Sequence, residues 1–487
     1  MRIGIVLRVL ALISLIVTLF MLFPLLLAVY DGTGDRPALI ASFAAGLLTS
    51  AFLFRSGSRR GVYEELGIRE AVAVVGFSWV IASAVGALPY RLSGVTASYA
   101  DAFFETMSGF TTTGATILTN IEALPRGLLL WRSLTHWIGG MGIIVLSLAV
   151  LPFLGVGGME LYKAEVPGPT PEKLTPRVQQ TALYLWGVYV LLTVLETVLL
   201  AAGGMGFFDA LNHSFSTIAT GGFSTKNASV GHFNSAYIEW VVTFFMFVSG
   251  INFSLHFLAL TGRWRAALRD EELRSYALLA AAASILIALF LLGQGFFERA
   301  EPALRAAAFH TMSLMSSTGF VTANYDLWPE FTRFLLLLLM VVGACAGSTG
   351  GGCKVVRFLL LGRQIQAEVR SLLHPRAVVN TRVNAQVVSI RSLSSVTAFF
   401  MLYIFILVLA TLAVTAFGGP KLDFVASLSG VVACLSNVGP GLGALGPVEN
   451  FSWLPEGVKW IFSFCMLAGR LELFAVLLLF VPETWTR

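Results

Sequence analysis

Four short segments of this chain each end in a turn of small residues around one glycine, and the backbone carbonyls of such turns could coordinate a cation. The turns read TTTGA, ATGGFST, SSTGF and NVGPG. Carbonyl oxygens can replace the water around a cation without adding net charge, so the ion can also leave. The residues predicted to line this filter are Thr112, Thr113, Gly114, Thr220, Gly221, Gly222, Ser317, Thr318, Gly319, Asn437, Val438 and Gly439.

The order of elements around the turns is repeated. Each turn follows a short apolar stretch of helical character and stands between two long apolar runs. A unit of span, short helix, glycine turn and span, present four times, can close around an axis. The partly negative C-terminal end of each short helix would then point toward that axis, which favours cations. One S-T-G-F turn alone would most simply be a surface turn, but four copies in register favour a filter.

A glycine-rich run, GACAGSTGGGCK at 343–354, interrupts the eighth apolar stretch. Glycine weakens a helix by about 1 kcal/mol relative to alanine, so contiguous glycines predict a broken helix and a movable loop under the third turn, which is a gate. The alternative is a face of small residues that packs against another helix. The predicted gate residues are Cys345, Ala346, Gly347, Ser348, Thr349, Gly350, Gly351, Gly352 and Lys354.

Charged residues accompany both motifs. Arg470 lies inside the last apolar stretch, where a charge is costly and usually faces a water-filled cavity or a partner group. We predict that Arg470 is a positive barrier beside the conduction path; the alternative is a structural ion pair, for example with Glu472 or with an acid on another helix. Acids before the turns, such as Asp101 and Glu105, either concentrate cations at the pore mouth or form a solvated face.

The composition places these motifs in a lipid bilayer. Of the 487 residues, 56% are hydrophobic and 12% are charged, whereas a soluble domain has about 25% charged residues. The net charge of +5 does not indicate nucleic-acid binding, because the basic residues lie in short loops between apolar runs. The cysteines and histidines lack metal-ligand spacing and the spans hold no convergent acid–base cluster. We therefore expect no enzyme and no cofactor bound by this chain.

The apolar runs predict an all-α polytopic membrane protein with ten spans. The predicted spans are residues 3–30, 37–54, 70–90, 128–153, 181–203, 236–260, 276–296, 331–361, 392–417 and 457–481. With both termini in the cytoplasm, the inner loops hold most of the loop arginines and lysines, as the positive-inside rule requires. All four turns then enter from the outer side.

Five segments follow from this arrangement. The first two spans precede the first turn and predict an extra N-terminal hairpin at 1–66. Four pore repeats around a pseudo-fourfold axis are predicted at 67–160, 161–262, 263–375 and 376–487, and the third contains the gating loop.

On these motifs the chain resembles the Trk/Ktr/HKT superfamily of potassium transporters. The resemblance is carried by the four turns, by GACAGSTGGGCKVVR and by the span that contains Gly469-Arg470. The extra N-terminal hairpin resembles that of the TrkH-type membrane subunit. The resemblance implies a homodimer with one pore per subunit, in a bacterial inner membrane. It implies potassium as the ion, because all four filter positions hold glycine, and it makes the glycine-rich loop a gate with Arg470 below the filter.

The resemblance also implies a regulatory partner. This is a cytosolic TrkA-like ring that binds NAD or ATP/ADP, and the basic segment 362–391 is where we expect it to dock. The fourth turn departs from the others, with Asn437-Val438 in place of Ser/Thr-Thr. The alternative functions are potassium–sodium cotransport and symport of a small solute. Solute symporters usually have two inverted repeats, and four units in one direction argue against that reading.

Overall fold

The computed structural model describes residues 1–57, 67–142, 178–376, 380–384 and 386–485. Within these ranges the chain is mostly helical, which confirms the predicted all-α fold class. One short antiparallel hairpin pairs β1 (Arg382–Val383) with β2 (Gln386–Val387). Short 3-10 or π segments lie at Ser229–Phe233, Ala259–Arg263, Tyr325–Leu327, Gly443–Leu445 and Pro482–Thr484.

Three N-terminal helices precede four sets of helices that share one order. The N-terminal helices are α1 (Ile3–Phe20), α2 (Leu22–Asp31) and α3 (Arg36–Ser56). The first set is α4 (Ile68–Gly86), α5 (Leu88–Leu92), α6 (Tyr99–Phe110) and α7 (Arg126–Gly140). The second set is α8 (Val178–Ala202), α9 (Phe207–Ile218), α10 (Ala236–Ser249), α11 (Phe253–Leu258) and α12 (Trp264–Ala267).

The last two sets complete the fold. The third set is α13 (Glu271–Gly293), α14 (Ala300–Met315), α15 (Glu330–Val342) and α16 (Val355–Leu373). The fourth set is α17 (Ile390–Phe417), α18 (Phe424–Leu435), α19 (Glu456–Arg470) and α20 (Glu472–Phe480).

Within the described ranges, six helices are long and apolar enough to cross a membrane, and they correspond to six of the ten predicted spans. These are Ile3–Asp31, Arg36–Ser56, Arg69–Leu92, Gln180–Ala202, Glu271–Gly293 and Ile390–Phe417. Two more predicted spans, 236–260 and 457–481, are bent pairs of helices, with angles of 98° and 119°. The predicted span 331–361 is broken into α15 and α16. The predicted span 128–153 begins in α7, and its residues beyond 142 lie outside the described ranges.

The four short helices α6, α9, α14 and α18 have mostly buried C-terminal halves, and each stands directly before one glycine turn. In α6 every residue from 102 to 110 is buried. Its start is fixed by a capping box, in which Ser98 and Asp101 bond to each other's backbone N–H. A 12-residue helix is about 18 Å long, shorter than the hydrocarbon core of about 30 Å. A short helix of this kind therefore ends within the bilayer, where irregular backbone must be buried or face water.

The second long helix of each set stops or bends near the end of its short helix. These helices end at Gly140, Ser249, Val342 and Arg470. Gly139 and Gly469 lie against the carbonyls of Phe110 and Leu435, so closely that a side chain on either glycine would overlap them. Glycine thus lets α7 and α19 pass directly beside the ends of α6 and α18.

Candidate functional site

The four turns have the same backbone conformation. In each turn a residue other than glycine is left-handed, and the glycine two positions later is left-handed as well. The first group is Thr112 (φ 52°), Thr220 (54°), Ser317 (63°) and Asn437 (53°). The second group is Gly114 (84°), Gly222 (80°), Gly319 (78°) and Gly439 (100°). Positive φ is uncommon outside glycine, so this shared pattern makes the turns four copies of one structural motif.

The turns contact one another in cyclic order and form a closed ring. A side chain on Gly114 would overlap the carbonyl oxygen of Gly221 in the second turn. The same relation joins Gly222 to Thr318 and Gly319 to Val438. The ring closes because a β-carbon on Gly439 would lie 2.6 Å from the carbonyl oxygen of Thr113.

Each of these positions therefore requires glycine for two reasons: its φ angle is positive, and a side chain would occupy the space of a neighbouring carbonyl. The carbonyls in question belong to the residue before each glycine. They are those of Thr113, Gly221, Thr318 and Val438.

Each turn is fixed to the end of its own short helix. The N–H of Thr113 donates to Ser108 O at 2.9 Å, that of Gly221 to Ser216 O at 2.8 Å, and that of Val438 to Ala433 O at 2.7 Å. In the third turn the donor is the N–H of Gly319, which lies 3.0 Å from Ser313 O. The first, second and fourth closures span six residues around a left-handed residue, which is typical of helix C-caps, and the third spans seven.

The side chains behind the turns differ. Hydroxyl pairs within the turn join Thr111 to Thr113 at 2.8 Å and Ser316 to Thr318 at 2.7 Å. In the fourth turn Val438 has no hydroxyl, and the Tyr403 hydroxyl lies 2.9 Å from Ser436 Oγ.

In the second turn the residue at this position is Gly221, and the buried His136 ring fills the space where its side chain would lie. That ring stacks on Phe223 with 4.0 Å between centroids. The first and fourth turns are also joined directly, since Asn437 Nδ2 donates to Thr113 Oγ1 at 3.0 Å.

The glycine-rich segment forms an irregular loop between α15 and α16, directly against the ring. The Thr349 hydroxyl donates to Ile218 O at 3.0 Å, at the end of the second short helix. The N–H of Gly351 donates to Ser317 Oγ at 2.5 Å in the third turn. A side chain on Gly351 would overlap Ser436 O beside the fourth turn. The loop therefore contacts three of the four turn regions.

Side chains hold this loop in place. One carboxylate oxygen of Glu272, at the start of α13, accepts from Ala346 N at 2.7 Å and from Val356 N at 3.0 Å, near the two ends of the loop. Lys354, which is buried and left-handed at φ 76°, donates to Gly350 O. Within the loop, Ser348 Oγ donates to Cys345 O at 2.6 Å. The loop thus depends on polar contacts as well as packing.

Arg470 lies below the ring and bonds to the loop. Its guanidinium donates to Thr349 O at 2.6 Å, to Gly139 O at 2.8 Å and to Gly140 O at 2.7 Å. Glu472, which the sequence suggests as an ion-pair partner of Arg470, pairs with Arg357 on α16. Arg470 therefore joins the end of α7, the loop and the end of α19.

Two cavities lie on opposite sides of this assembly. The smaller, of about 140 Å³, is lined by Gly114, Gly222, Gly319 and Gly439 together with Arg132, Lys226 and Glu449. The larger, of about 520 Å³, is lined by loop residues 346–352 together with Glu272, Arg470 and Glu472. The two cavities share no lining residue. The ring and the loop stand between them.

Comparison with known proteins identifies the family. The TrkH family of cation transport proteins matches residues 39–486. The chain is 41% identical to the Trk system potassium uptake protein TrkH of Salmonella typhimurium over 479 residues, which cover 97% of this chain and 98% of that protein. It is 39% identical to the TrkH protein of Halomonas elongata, with both chains fully covered. The crystal structure of the potassium transporter TrkH from Vibrio parahaemolyticus matches with a TM-score of 0.89 and 36% identity over the whole of both chains.

The chain belongs to the TrkH family of cation transport proteins. The family consists of transporters, so the expectation that the chain is not an enzyme is confirmed. In the part of the chain that the structure describes, no group of three or more His, Cys, Asp or Glu could hold a metal ion.

In this TrkH-family chain the residues predicted from sequence come together in space. The twelve predicted filter residues lie in the ring of turns, the nine predicted gate residues lie in the loop beside it, and Arg470 contacts that loop. Their roles in transport stay predictions.

Sequence reasoning misjudged Glu105 and overlooked Arg132. Glu105 was considered as a mouth or surface acid, but it is completely buried and pairs with the equally buried Arg132 at 2.7 Å. Arg132 also donates to Ser224 O at 2.8 Å beyond the second turn and lies 3.6 Å from the centre of the Phe223 ring. A buried pair of this kind leaves an uncompensated charge when one partner is lost. The sequence contained one sign of this pair. Arg132 stands six residues after the first residue of α7, the helix that follows the turn.

Proposed function

We propose that this chain takes up potassium through a channel-like pore whose filter is the ring of four turns. The proposal rests on one observation. The glycine of each turn lies against a carbonyl oxygen of the next turn, the carbonyl of the residue that precedes that turn's own glycine, and these contacts close into a ring. Such a ring offers backbone oxygens from four directions, which is the chemistry that replaces an ion's hydration shell. Potassium is the ion because the relatives with high identity over their full length are named potassium uptake proteins.

We further propose that the loop at 343–354 is the gate and that Arg470 is a positive barrier below the filter. The loop stands between the two cavities, and Arg470 bonds to its Thr349 carbonyl. A fixed positive charge beside the path opposes a passing cation. Opening would require the loop to leave the ring, which breaks its contacts with Glu272 and Ser317.

We also propose a setting for this pore, which its family and its loop charges support. We propose a bacterial inner-membrane location with both termini in the cytoplasm, so that the turns face outward and the larger cavity faces inward. Two copies would form a homodimer with one pore each, and Ile365, Val369 and Leu372 supply exposed apolar residues on one face of α16 for that contact. A cytosolic TrkA-like ring that binds NAD or ATP/ADP would dock on the basic segment 362–391, where Arg370 and Arg376 are exposed.

The test is rubidium-86 flux into liposomes that contain this chain, competed by potassium, sodium and lithium. We expect potassium to block the flux and sodium to block it weakly. Equal block by all three ions would contradict a selective filter. Flux that requires an organic solute would favour the symporter, and flux that requires sodium would favour cotransport. If the chain alone is closed, the same assay with a TrkA-like ring and ATP tests gating by the partner.

A filter variant makes this test specific. In Gly114→Ser the new side chain would meet Gly221 O at a position whose φ is 84°. We expect the potassium-to-sodium ratio to fall, because the carbonyl must move. An unchanged ratio would remove Gly114 from the filter.

A further inference from the structure

The four turns share a second contact, on the side that follows the glycine. In each set a side chain of the short helix accepts a hydrogen bond from the segment just after the turn. Glu105, His213 and His310 stand nine residues before their glycines, and Ser429 stands ten residues before Gly439. We call these four side chains the post-turn acceptors. Their residue types differ, but the place that they contact is the same.

In the first and fourth sets the donor is a backbone N–H at the same position after the glycine. Glu105 accepts from Ile117 N at 2.9 Å and from the Thr116 hydroxyl at 3.0 Å. Ser429 Oγ accepts from Leu442 N at 2.9 Å. The donors Ile117 and Leu442 each stand three residues after a turn glycine.

The two histidines make the same contact through Nε2. His310 Nε2 lies 3.4 Å from the N–H groups of Thr322 and Ala323, and His213 Nε2 lies 2.9 Å from Ser224 Oγ. Their Nδ1 atoms lie 2.8 Å and 2.7 Å from carbonyl oxygens of their own helices. Only a protonated Nδ1 can donate to a carbonyl, which leaves Nε2 of a neutral ring as the acceptor.

Glu105 differs from the other three because it is charged and joined to a second turn. Its partner Arg132 bonds to Ser224 O, two residues after the glycine of the second turn. The Glu105–Arg132 pair therefore connects the segments that follow the first and second turns. Both side chains are buried, where a charge-assisted hydrogen bond is strong and directional.

We propose that the post-turn acceptors set the spacing of the carbonyl ring, and that the Glu105–Arg132 pair is a determinant of ion selectivity. The inference rests on the proposed filter. A ring of carbonyls distinguishes ions by the number and position of its oxygens. Each turn is fixed before its glycine by the helix end and after it by a post-turn acceptor. Loss of the second attachment lets the carbonyls shift while the pore remains open to cations. The post-turn acceptors and Arg132 are positioning residues. The ring carbonyls belong to Thr113, Gly221, Thr318 and Val438, and none of these four is a post-turn acceptor or Arg132.

The test compares four variants by the ratio of potassium to sodium block of rubidium-86 flux. Glu105→Gln keeps the shape and can still accept from Ile117 but loses the charge opposite Arg132. Arg132→Lys keeps the charge but lacks the second nitrogen that reaches Ser224 O. Thr106→Val is the matched control, because the buried Thr106 hydroxyl bonds within its own helix, to Ala102 O. Gly114→Ser is the filter variant.

We expect the selectivity ratio to fall about tenfold in Glu105→Gln, the change that corresponds to one charge-assisted hydrogen bond, and less in Arg132→Lys. Thr106→Val should keep the parental ratio. If both Glu105→Gln and Arg132→Lys keep it at unchanged melting temperature while Gly114→Ser lowers it, the inference is wrong and the filter stands. If Gly114→Ser also keeps it, the filter proposal itself fails. If Glu105→Gln does not fold, Arg132→Lys decides alone.

Discussion

The ring of turns and the loop beside it use the same kind of residue for different purposes. Both contain glycines at positive φ and small polar residues. Each turn is attached on both sides, to its helix end and to a post-turn acceptor. The middle of the loop is held by side chains, among them Arg470 on Thr349 O and Ser317 on Gly351 N. Each turn is thus held by its own short helix, whereas the loop also depends on side chains from other parts of the fold, as we expect of a segment that moves in the proposed gate.

The largest effect should come from filling the ring. In Gly222→Ala the β-carbon would overlap Thr318 O, and the φ of 80° is unfavourable for alanine by about 1–2 kcal/mol. We expect rubidium flux to fall about thirtyfold, the change that corresponds to about 2 kcal/mol of strain in the proposed path. The matched control is Gly187→Ala in α8, where nothing lies within 4 Å of the new methyl group. Normal flux in Gly222→Ala would contradict the ring as the path.

This ring could be predicted from the sequence only in part. The repeated glycine turns located the twelve residues, and hydropathy located the spans, because both are local patterns. The order in which the turns touch is a long-range property, and no spacing indicated that Gly439 would meet Thr113. The post-turn acceptors were hidden by their differing residue types. The one sequence sign of these acceptors was that His213 and His310 each stand nine residues before a turn glycine.

The bends were not predictable from hydropathy. The apolar runs 236–260 and 457–481 continue through the breaks near Gly250 and Leu471, so average hydropathy shows a straight span. The pairing of Glu472 with Arg357 depends on that bend and on the return of α16 after the loop. These features follow from contacts between distant segments.

The second prediction concerns release of the loop. Glu272→Ala removes the carboxylate that accepts from Ala346 N and Val356 N. Both N–H groups are partly buried, and a hydrogen bond to a charged group is worth about 1.5–3 kcal/mol, so the closed loop loses stability relative to the open one. We expect basal rubidium flux to rise about tenfold, the change that corresponds to about 1.4 kcal/mol, with an unchanged potassium-to-sodium ratio.

The control for the loop is the neighbouring residue. Glu271 pairs with Arg363 at 2.6 Å and is partly exposed, so Glu271→Ala should leave flux unchanged. Hydrogen exchange of the loop amides provides the second readout. Parental flux and parental exchange in Glu272→Ala would show that the loop does not depend on this carboxylate.

A smaller effect is expected at Arg470. Arg470→Lys keeps the charge but cannot reproduce three hydrogen bonds to Thr349 O, Gly139 O and Gly140 O. The barrier would remain while the loop loosens, so flux should rise a few-fold, less than in Glu272→Ala. Arg470→Gln, which also removes the charge, should raise it further. A Gln variant with lower flux than the Lys variant would contradict the role of Arg470 as a barrier.

The smallest effect separates the fourth turn from the first. In the first turn the hydroxyls of Thr111 and Thr113 bond to each other. In the fourth turn Val438 has no hydroxyl, and Ser436 bonds to the hydroxyl of Tyr403 on α17. Tyr403→Phe removes one neutral hydrogen bond, worth about 1 kcal/mol, so the selectivity ratio should fall less than tenfold. Tyr99→Phe is the control, since that hydroxyl bonds to Ala84 O away from the turns.

Adding Val438→Thr to Tyr403→Phe should restore the selectivity ratio, because Ser436 then gains the internal partner that Thr113 supplies in the first turn and Thr318 in the third. The side chains differ by one hydroxyl in place of a methyl group, so the repair adds no volume to the buried turn. Recovery of both the ratio and the melting temperature would mean that the fourth turn needs a bonded hydroxyl from any source. Recovery of the melting temperature alone would mean that Tyr403 stabilises the fold, and that the position of the Val438 carbonyl does not depend on it.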